Sequence, residues 1–220
     1  MKKLLQLSAC LFLLILSVNV SAQMLSWEIK QHSNDLDLLK KEVNEYIKNG
    51  YVPLGITYDN VELYILYLQE RDFGLEGWLI EWYDGRDEIQ NGITENMNNG
   101  YIPTGITYTG DLFYVLYVKA KSSADAWQLI PSGTNLKAVQ RAIQPIIDQG
   151  YVPVGITAYQ GEYWTLLLLI PDTTVKYWRI ESYETGAHIE GINRNIEQGY
   201  MPWGLIYRHD RGVDILYVGF

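Results

Sequence analysis

A pattern of glycine, tyrosine and proline recurs four times along this chain at almost constant intervals. The copies share Gly-Tyr-x-Pro-x-Gly followed by Ile or Leu, and they span Gly50–Thr57, Gly100–Thr107, Gly150–Thr157 and Gly199–Ile206. Successive copies start 50, 50 and 49 residues apart, and a tryptophan marks an earlier point in each interval, at Trp27, Trp78, Trp127 and Trp178. A fixed period of this length is typical of repeat folds, in which neighbouring units complete each other's core. We therefore expect four equivalent units of about 50 residues.

The residues between these markers predict the same elements in every unit. The alternation around Trp27 suits a half-buried strand. Leu39, Val43 and Ile47 follow at helical spacing and predict an amphipathic helix, which Gly50 would end in a left-handed conformation. The motif then runs extended, and a turn followed by an apolar strand completes a hairpin. Proline and the second glycine of the motif indicate a bulge or a close backbone approach there. Each unit is therefore predicted to be β-α-β-β, and the fold class α+β.

The units are expected to close on each other. We place them at about 23–70, 71–120, 121–171 and 172–220, within a single domain covering 23–220. Neither end carries a polar capping unit, which an open stack would need. A pseudo-four-fold ring, similar in architecture to an α/β-propeller, would leave no terminal unit exposed. An open stack that dimerises remains the alternative, and the oligomeric state is left open.

The N-terminus has the pattern of a signal peptide. Lys2 and Lys3 precede an apolar run that ends in small residues, so residues 1–22 are predicted to be removed by cleavage after Ala22. Leu7–Cys10 also matches a lipoprotein signal, but the apolar run continues past Cys10. The mature chain would be secreted or periplasmic, free of cysteine and without a membrane span. It would hold 15 basic against 26 acidic residues, a charge of −11, which argues against nucleic acid as a partner.

Most catalytic signatures are absent from the sequence. There is no G-x-S-x-G, Walker A or H-E-x-x-H pattern, and the three histidines lie in different units or settings, so no metal site and no cofactor is predicted. Glu81 and Glu181 are the remaining catalytic candidates. They occupy equivalent positions three residues after Trp78 and Trp178, and facing each other across a ring axis they could form a hydrolytic carboxylate pair. Ordinary strand positions are the simpler interpretation.

Aromatic residues that depart from the repeat are the candidate binding residues. Trp82, Trp164 and Trp203 stand where sister units carry other residues, and Arg208 begins a turn that is longer than its equivalents. Exposed tryptophan offers a flat face to sugar rings or to protein surfaces, and arginine is a frequent anchor of recognition. Additional core packing is the alternative for the tryptophans, and a solvated turn is the alternative for Arg208.

The motif and the tyrosine-rich strand after it resemble the bacterial tandem repeat domain that occurs beside serine-hydrolase domains. In those proteins catalysis belongs to the separate hydrolase domain, for which this chain has no room. The resemblance implies an accessory or recognition module and assigns no catalytic residue. Together with the residue patterns, it favours a secreted, non-catalytic module that binds a cell-wall glycan or an extracellular protein. A hydrolase using Glu81 and Glu181 and a structural assembly subunit are the alternatives.

Overall fold

The predicted order of elements is present in all four units. The computed structural model describes residues 26–69, 74–184, 186–208 and 212–220, so the expected leader lies outside the described residues. The first two units consist of β1 (Trp27–His32), α1 (Leu36–Lys48), β2 (Tyr51–Tyr58), β3 (Leu63–Gln69), β4 (Gly77–Tyr83), α2 (Arg86–Asn98), β5 (Ile102–Tyr108) and β6 (Phe113–Lys119). The last two consist of β7 (Ala126–Gly133), α3 (Leu136–Ile147), β8 (Tyr151–Tyr159), β9 (Glu162–Leu169), β10 (Tyr177–Tyr183), α4 (His188–Glu197), β11 (Met201–Arg208) and β12 (Gly212–Gly219).

Each unit forms its own three-stranded antiparallel sheet, with the last strand of the unit in the middle. The strand orders are β1-β3-β2, β4-β6-β5, β7-β9-β8 and β10-β12-β11. Among the described residues no strand pairs with a strand of another sheet, so the four sheets remain separate. The mixed α+β class and the β-α-β-β unit are therefore confirmed.

The helices end at the glycines that the sequence predicts, and two of them begin at a capping side chain. The side chain of Asp35 accepts hydrogen bonds from the first turn of α1, and Asn135 does the same for α3, which satisfies backbone donors that have no partner within a helix. One glycine follows each helix with φ between +82° and +96°, a conformation that glycine adopts without strain: Gly50, Gly100, Gly150 and Gly199.

The second glycine of each motif lies at a bulge and close to another unit. The strand register shifts between Pro53 and Gly55, and likewise in the other three motifs. A Cβ on Gly105 would lie 2.8 Å from the backbone nitrogen of Ile56, and one on Gly55 would lie 2.8 Å from the carbonyl oxygen of Trp203. None of these glycines has a positive φ. Close backbone approach between the motif strands therefore explains why a side chain does not fit.

Three of the hydrophobic clusters combine residues of two units each, and the largest, which includes residues of α2, contains residues of all four units. Leu39 and Val43 of α1 lie in one cluster with Ile80 of the second unit. The same arrangement joins α2 to the third unit and α3 to the fourth. Ile192 of α4 lies in a cluster with Leu66 of the first unit. One face of every sheet thus packs on its own helix and the other on the preceding unit, as expected for units that cannot bury their sheets alone.

The four repeated tryptophans connect these same pairs of units. Their indole nitrogens donate to a polar side chain at one equivalent helix position: Trp78 to Asn44, Trp127 to Thr94, Trp178 to Gln144 and Trp27 to Asn193, at 2.8, 3.3, 2.8 and 2.8 Å. Each tryptophan therefore both packs at an interface between units and satisfies its polar atom there.

A further equivalent position, five residues after each tryptophan, holds a buried polar group. It is occupied by His32, Tyr83, Ser132 and Tyr183, and each bonds to the central strand of its own sheet. The residue on the facing helix depends on the size of this group. Where the group is Tyr83 or Tyr183, the helix has Gly92 or Gly191, since a Cβ there would overlap the ring. The matching helix residues of the other two units are Glu42 and Ala142.

Candidate functional site

Trp82 is the most exposed tryptophan with a described side chain. It lies on β4 with 51% of its surface exposed, whereas sister units carry Gln31, Pro131 and Ser182 at this position. Trp82 follows Ile80 by two residues, so both side chains lie on the same face of β4. Ile80 packs against α1, so this face is turned towards the first unit. Tyr114 is its cross-strand partner on β6. This pair presents an aromatic surface at the junction of the first and second units.

Trp164 lies on β9 and is held by a residue of the second unit. The guanidinium carbon of Arg86 lies 5.4 Å from the centroid of the Trp164 ring, within the range of a cation–π contact. Tyr159 approaches the same ring at 5.7 Å in an edge-on orientation. Trp164 is half-buried, so the contact with Arg86 joins two units at the surface.

A groove lies beside this contact, between α2 and β7. Its volume is about 330 Å³, near the lower end of the range for ligand sites. The groove runs along the interface that Trp127 and Thr94 connect. Arg86 lines one part of it, together with Gln90 and Gln128. The sequence analysis missed this groove, because no motif marks it and its walls come from two different units.

A wider depression of about 530 Å³ lies on the third unit near Ser132 and Gly133. It occurs where the first, second and fourth units have an imidazole or phenol ring in place of Ser132. The depression is shallow and open to solvent, and Arg141 and Glu162 bring opposite charges to its lining. We therefore regard the groove between α2 and β7 as the better-formed ligand site.

Trp203 occupies the bulge position of β11, between Pro202 and Gly204. It is half-buried and contacts Phe220 with ring centroids 5.9 Å apart. Its indole nitrogen is buried and has no hydrogen-bond partner among the described residues, a state that costs free energy in a folded protein. The equivalent residues of the other units are Leu54, Thr104 and Val154.

Arg208 ends β11 and is paired with a carboxylate that the sequence analysis missed. Its Nε lies 3.2 Å from Oδ1 of Asp214, whose surface is only 1% exposed. Ser182 donates a hydrogen bond of 2.6 Å to the same oxygen. Asp214 takes the position that Tyr64, Tyr114 and Trp164 hold in the other units. The signal in the sequence is a carboxylate at a position where the other three units have an aromatic residue.

The four candidate binding residues do not converge on one point. Trp82 belongs to the second sheet and Trp164 to the third. Trp203 and Arg208 both lie on β11, but they are five residues apart, about 16 Å of extended strand. Trp82 and Trp164 are each near an interface between units, and only Trp164 is in contact with a groove residue, Arg86.

Glu81 and Glu181 lie on the outer strands of two different sheets. Glu181 forms an ion pair with Arg179 at 3.0 Å and accepts hydrogen bonds from Asn195 and Tyr183. Burial raises the pKa of Glu181, but the bonds from Tyr183 and Asn195 and the charges of nearby arginines outweigh it, so the pKa is lowered overall. Glu181 is therefore held as a carboxylate, whereas a general acid needs a raised pKa.

His32 is buried between two polar partners. Its Nδ1 lies 2.8 Å from Oε2 of Glu42, and its Nε2 lies 2.9 Å from the hydroxyl of Tyr67. Burial lowers the pKa of His32 and outweighs the opposing contact with Glu42. Tyr67 and His32 are buried and have no access to a substrate, whereas the side chain of Glu42 is 35% exposed.

Within residues 26–69, 74–184, 186–208 and 212–220, no three His, Cys, Asp or Glu side chains are grouped so that they could hold a metal ion. No helix in that part of the chain is long and apolar enough to cross a membrane. No protein-family model matches the chain, and comparison with the curated proteins finds no match.

Proposed function

We propose that this protein is a secreted, non-catalytic module that binds an extracellular partner, with a glycan as the first candidate and a protein as the second. The main observation behind the proposal is that Trp82 is exposed to solvent. The other three units have Gln31, Pro131 and Ser182 at the equivalent strand position, so the fold does not require an indole there. An exposed tryptophan that the fold does not require is a recurrent anchor of recognition.

We further propose that the four units form a closed pseudo-four-fold ring, similar to an α/β-propeller without hydrogen bonds between its sheets. Contacts between the fourth and first units support this. Trp27 donates to Asn193, and the backbone nitrogen of Tyr207 donates a 2.9 Å hydrogen bond to the hydroxyl of Thr57. An equivalent bond from Tyr108 to Thr157 joins the second and third units. A ring would present its departures from symmetry at fixed distances on a rigid frame.

The resemblance to the bacterial tandem repeat domain agrees with this proposal, as does the predicted signal peptide. A hydrolase centred on Glu81 and Glu181 remains the rival. It is less favoured because the two glutamates lie on outer strands of separate sheets and Glu181 is engaged by Arg179 of its own unit. An assembly subunit is the third possibility, and it would use the free edges of the outer strands.

The test is a binding screen of the exported protein against soluble oligosaccharides and peptidoglycan fragments, followed by isolated extracellular proteins. We expect a partner whose affinity falls at least tenfold in Trp82→Ala. Ile189→Ala is the matched control, because Ile189 is an exposed apolar residue of similar exposure, 52%, in the fourth unit. Hydrolysis of a screened substrate that is lost in Glu81→Gln or Glu181→Gln would establish the rival enzyme instead.

A further inference from the structure

Equivalent residues form each interface between successive units. The interface between the second and third units contains the groove between α2 and β7. Two residues after the tryptophan, Ile80 and Ile180 are buried, with 5% and 8% of their surface exposed. The equivalent Ile29 and Leu129 are only partly buried, and Leu129 lines the groove between α2 and β7. Exposure at this position therefore differs among the units, and in the third unit the partly exposed residue lines a groove.

Apart from Arg86, the lining of this groove is neutral and polar above an apolar floor. Gln90 and Thr94 project from α2, and Gln128 from β7, around the half-buried indole of Trp127. Amide and hydroxyl side chains can both donate and accept hydrogen bonds, which suits the many hydroxyl groups of a sugar. The indole supplies an apolar face for a sugar ring. A volume of about 330 Å³ accommodates a ligand of mono- or disaccharide size.

The charge of the groove is opposite to that of the protein. The whole chain has a formal net charge of −9, yet among the described residues that line the groove there is one arginine, Arg86, and no carboxylate. Leu36 and Leu136 occupy the equivalent helix position in two sister units, so the arginine is also a departure from the repeat. A fixed positive charge without a lining carboxylate favours an anionic group in the ligand.

The orientation of Arg86 fits the same role. Its guanidinium contacts the Trp164 ring with Cζ 5.4 Å from the centroid. A guanidinium held over an aromatic ring keeps its N–H groups available at the edge, where they can bind a carboxylate in a bidentate manner. Trp164 therefore acts as a positioning residue for Arg86.

From these observations we propose that the groove between α2 and β7 binds a saccharide that carries a carboxylate. The indole of Trp127 packs against the sugar ring, Gln90 and Gln128 bind its hydroxyl groups, and Arg86 binds the carboxylate. This inference rests on the proposed function for the class of partner, a glycan, and adds a second site, apart from Trp82, with a ligand class of its own. It also predicts that binding weakens as ionic strength rises, because one charge pair contributes to affinity.

Two trisaccharides test the proposal on the purified, exported protein: trigalacturonic acid, which carries carboxylates, and chitotriose, which is neutral. Tryptophan fluorescence and calorimetry measure binding. We expect trigalacturonic acid to bind at least tenfold more tightly than chitotriose. Arg86→Gln should lower the affinity for trigalacturonic acid at least tenfold and leave that for chitotriose within twofold. Gln90→Ala and Gln128→Ala should each weaken binding of the acidic sugar several-fold.

Matched controls come from equivalent or similar positions outside the groove. Gln140 stands on α3 where Gln90 stands on α2, and Gln140→Ala should leave affinity unchanged. Arg141→Gln removes the same charge from another exposed site and should also have no effect. Circular dichroism and thermal unfolding identify any variant that fails to fold. Because Arg86, Gln90 and Gln128 do not belong to the buried core, we expect all three variants to fold.

Equal affinity for both trisaccharides, or an Arg86→Gln variant that binds the acidic sugar normally, would overturn the proposal. Absence of binding to either trisaccharide at millimolar concentration would also overturn it. If a partner from the wider screen then binds in a manner that depends on Trp82 and not on Arg86, the proposed function stands and this inference alone fails. If nothing in the screen binds, both fail.

Discussion

The indole nitrogen of Trp27 donates a hydrogen bond to the side-chain carbonyl of Asn193, 166 residues further along the chain. It is equivalent to the bond from Trp78 to Asn44, which joins neighbouring units. The first and fourth units therefore meet through the same contact as units that are adjacent in sequence. This equivalence is the basis of the proposed ring.

Trp27→Phe and Trp78→Phe should destabilise the protein by similar amounts, about 1 kcal/mol each, because each removes one intramolecular hydrogen bond and keeps most of the packing. Denaturant unfolding measures the two free energies. Asn193→Ala provides the control, since Trp27→Phe should cost little more in that background. A Trp27→Phe variant as stable as wild type, beside a destabilised Trp78→Phe, would favour the open stack.

Gly105→Ala should lower the free energy of unfolding by about 1–3 kcal/mol, because overpacking forces the surroundings to shift. The new Cβ would lie 2.8 Å from the backbone nitrogen of Ile56, which cannot move as a flexible side chain could. Gly155→Ala is the comparison variant. Its Cβ would have its nearest contacts at 3.2 Å, so we expect a smaller loss in the free energy of unfolding. Equal stability of wild type and Gly105→Ala would refute close approach as the reason for glycine.

Gly92→Ala tests the pairing between the helix and the buried ring of Tyr83. Alanine normally stabilises a helix relative to glycine by about 1 kcal/mol. Here the Cβ would overlap the Tyr83 ring, so we expect a net loss of about 1–3 kcal/mol in the free energy of unfolding. Alanine would then destabilise the protein at a helix position where it normally stabilises, and this reversal would identify the contact with Tyr83 as the cause.

A double variant provides the control for this pairing. Tyr83→Ser with Gly92→Ala reproduces the combination found in the third unit, Ser132 with Ala142. It should cost clearly less than the sum of the two single changes, which a double-mutant cycle measures. Simple additivity would show that the two positions are independent.

His32 should make stability depend on pH below neutrality. Its pKa is lowered in the folded state by burial, although the Glu42 side chain faces it. The neighbouring Tyr67, Tyr46 and Lys30 are the other titratable groups around it. The unfolded chain, with a histidine pKa near 6.5, binds the proton first. Stability is therefore complete above about pH 6.5 and declines as the pH falls towards the lower folded pKa.

Denaturant unfolding between about pH 7.5 and pH 5 measures this decline. His32→Gln should reduce its slope. Burial also lowers the pKa of His188, so His188→Gln serves as the parallel variant and should remove only the contribution of that histidine. A wild-type protein that gains stability on acidification over this range would show instead that pairing between His32 and Glu42 outweighs burial.

The repeat architecture could be predicted because local rules determine it. Helical spacing of Leu39, Val43 and Ile47 and the glycine that follows them mark a helix and its end without any tertiary contact. The second motif glycine was predicted to exclude a side chain, and close approach, rather than a positive φ, is the reason. That choice depends on how units meet, which periodicity does not show.

The candidate site was less predictable, because its parts come from different units. Trp82 was singled out as a departure from the repeat, and its side chain is exposed. Arg86 departs from the repeat, but its contact with Trp164 arises only when the second and third units pack together. Asp214 and the pairing of Tyr83 with Gly92 were detectable by comparing the four units position by position. The sequence analysis compared tryptophans and glutamates in that way and overlooked these residues.

The most direct test of the account separates residues that hold the fold from residues that bind. Affinity for the screened glycan or protein that binds the native protein most tightly without competing with trigalacturonic acid, and the free energy of unfolding, would be measured for Trp82→Ala and Trp178→Phe. We predict that Trp82→Ala loses at least tenfold in affinity with stability changed by less than about 0.5 kcal/mol. Trp178→Phe should keep its affinity and lose about 1 kcal/mol of stability. The reverse pattern, or a native protein that binds neither a glycan nor an extracellular protein in the screen, would contradict the account.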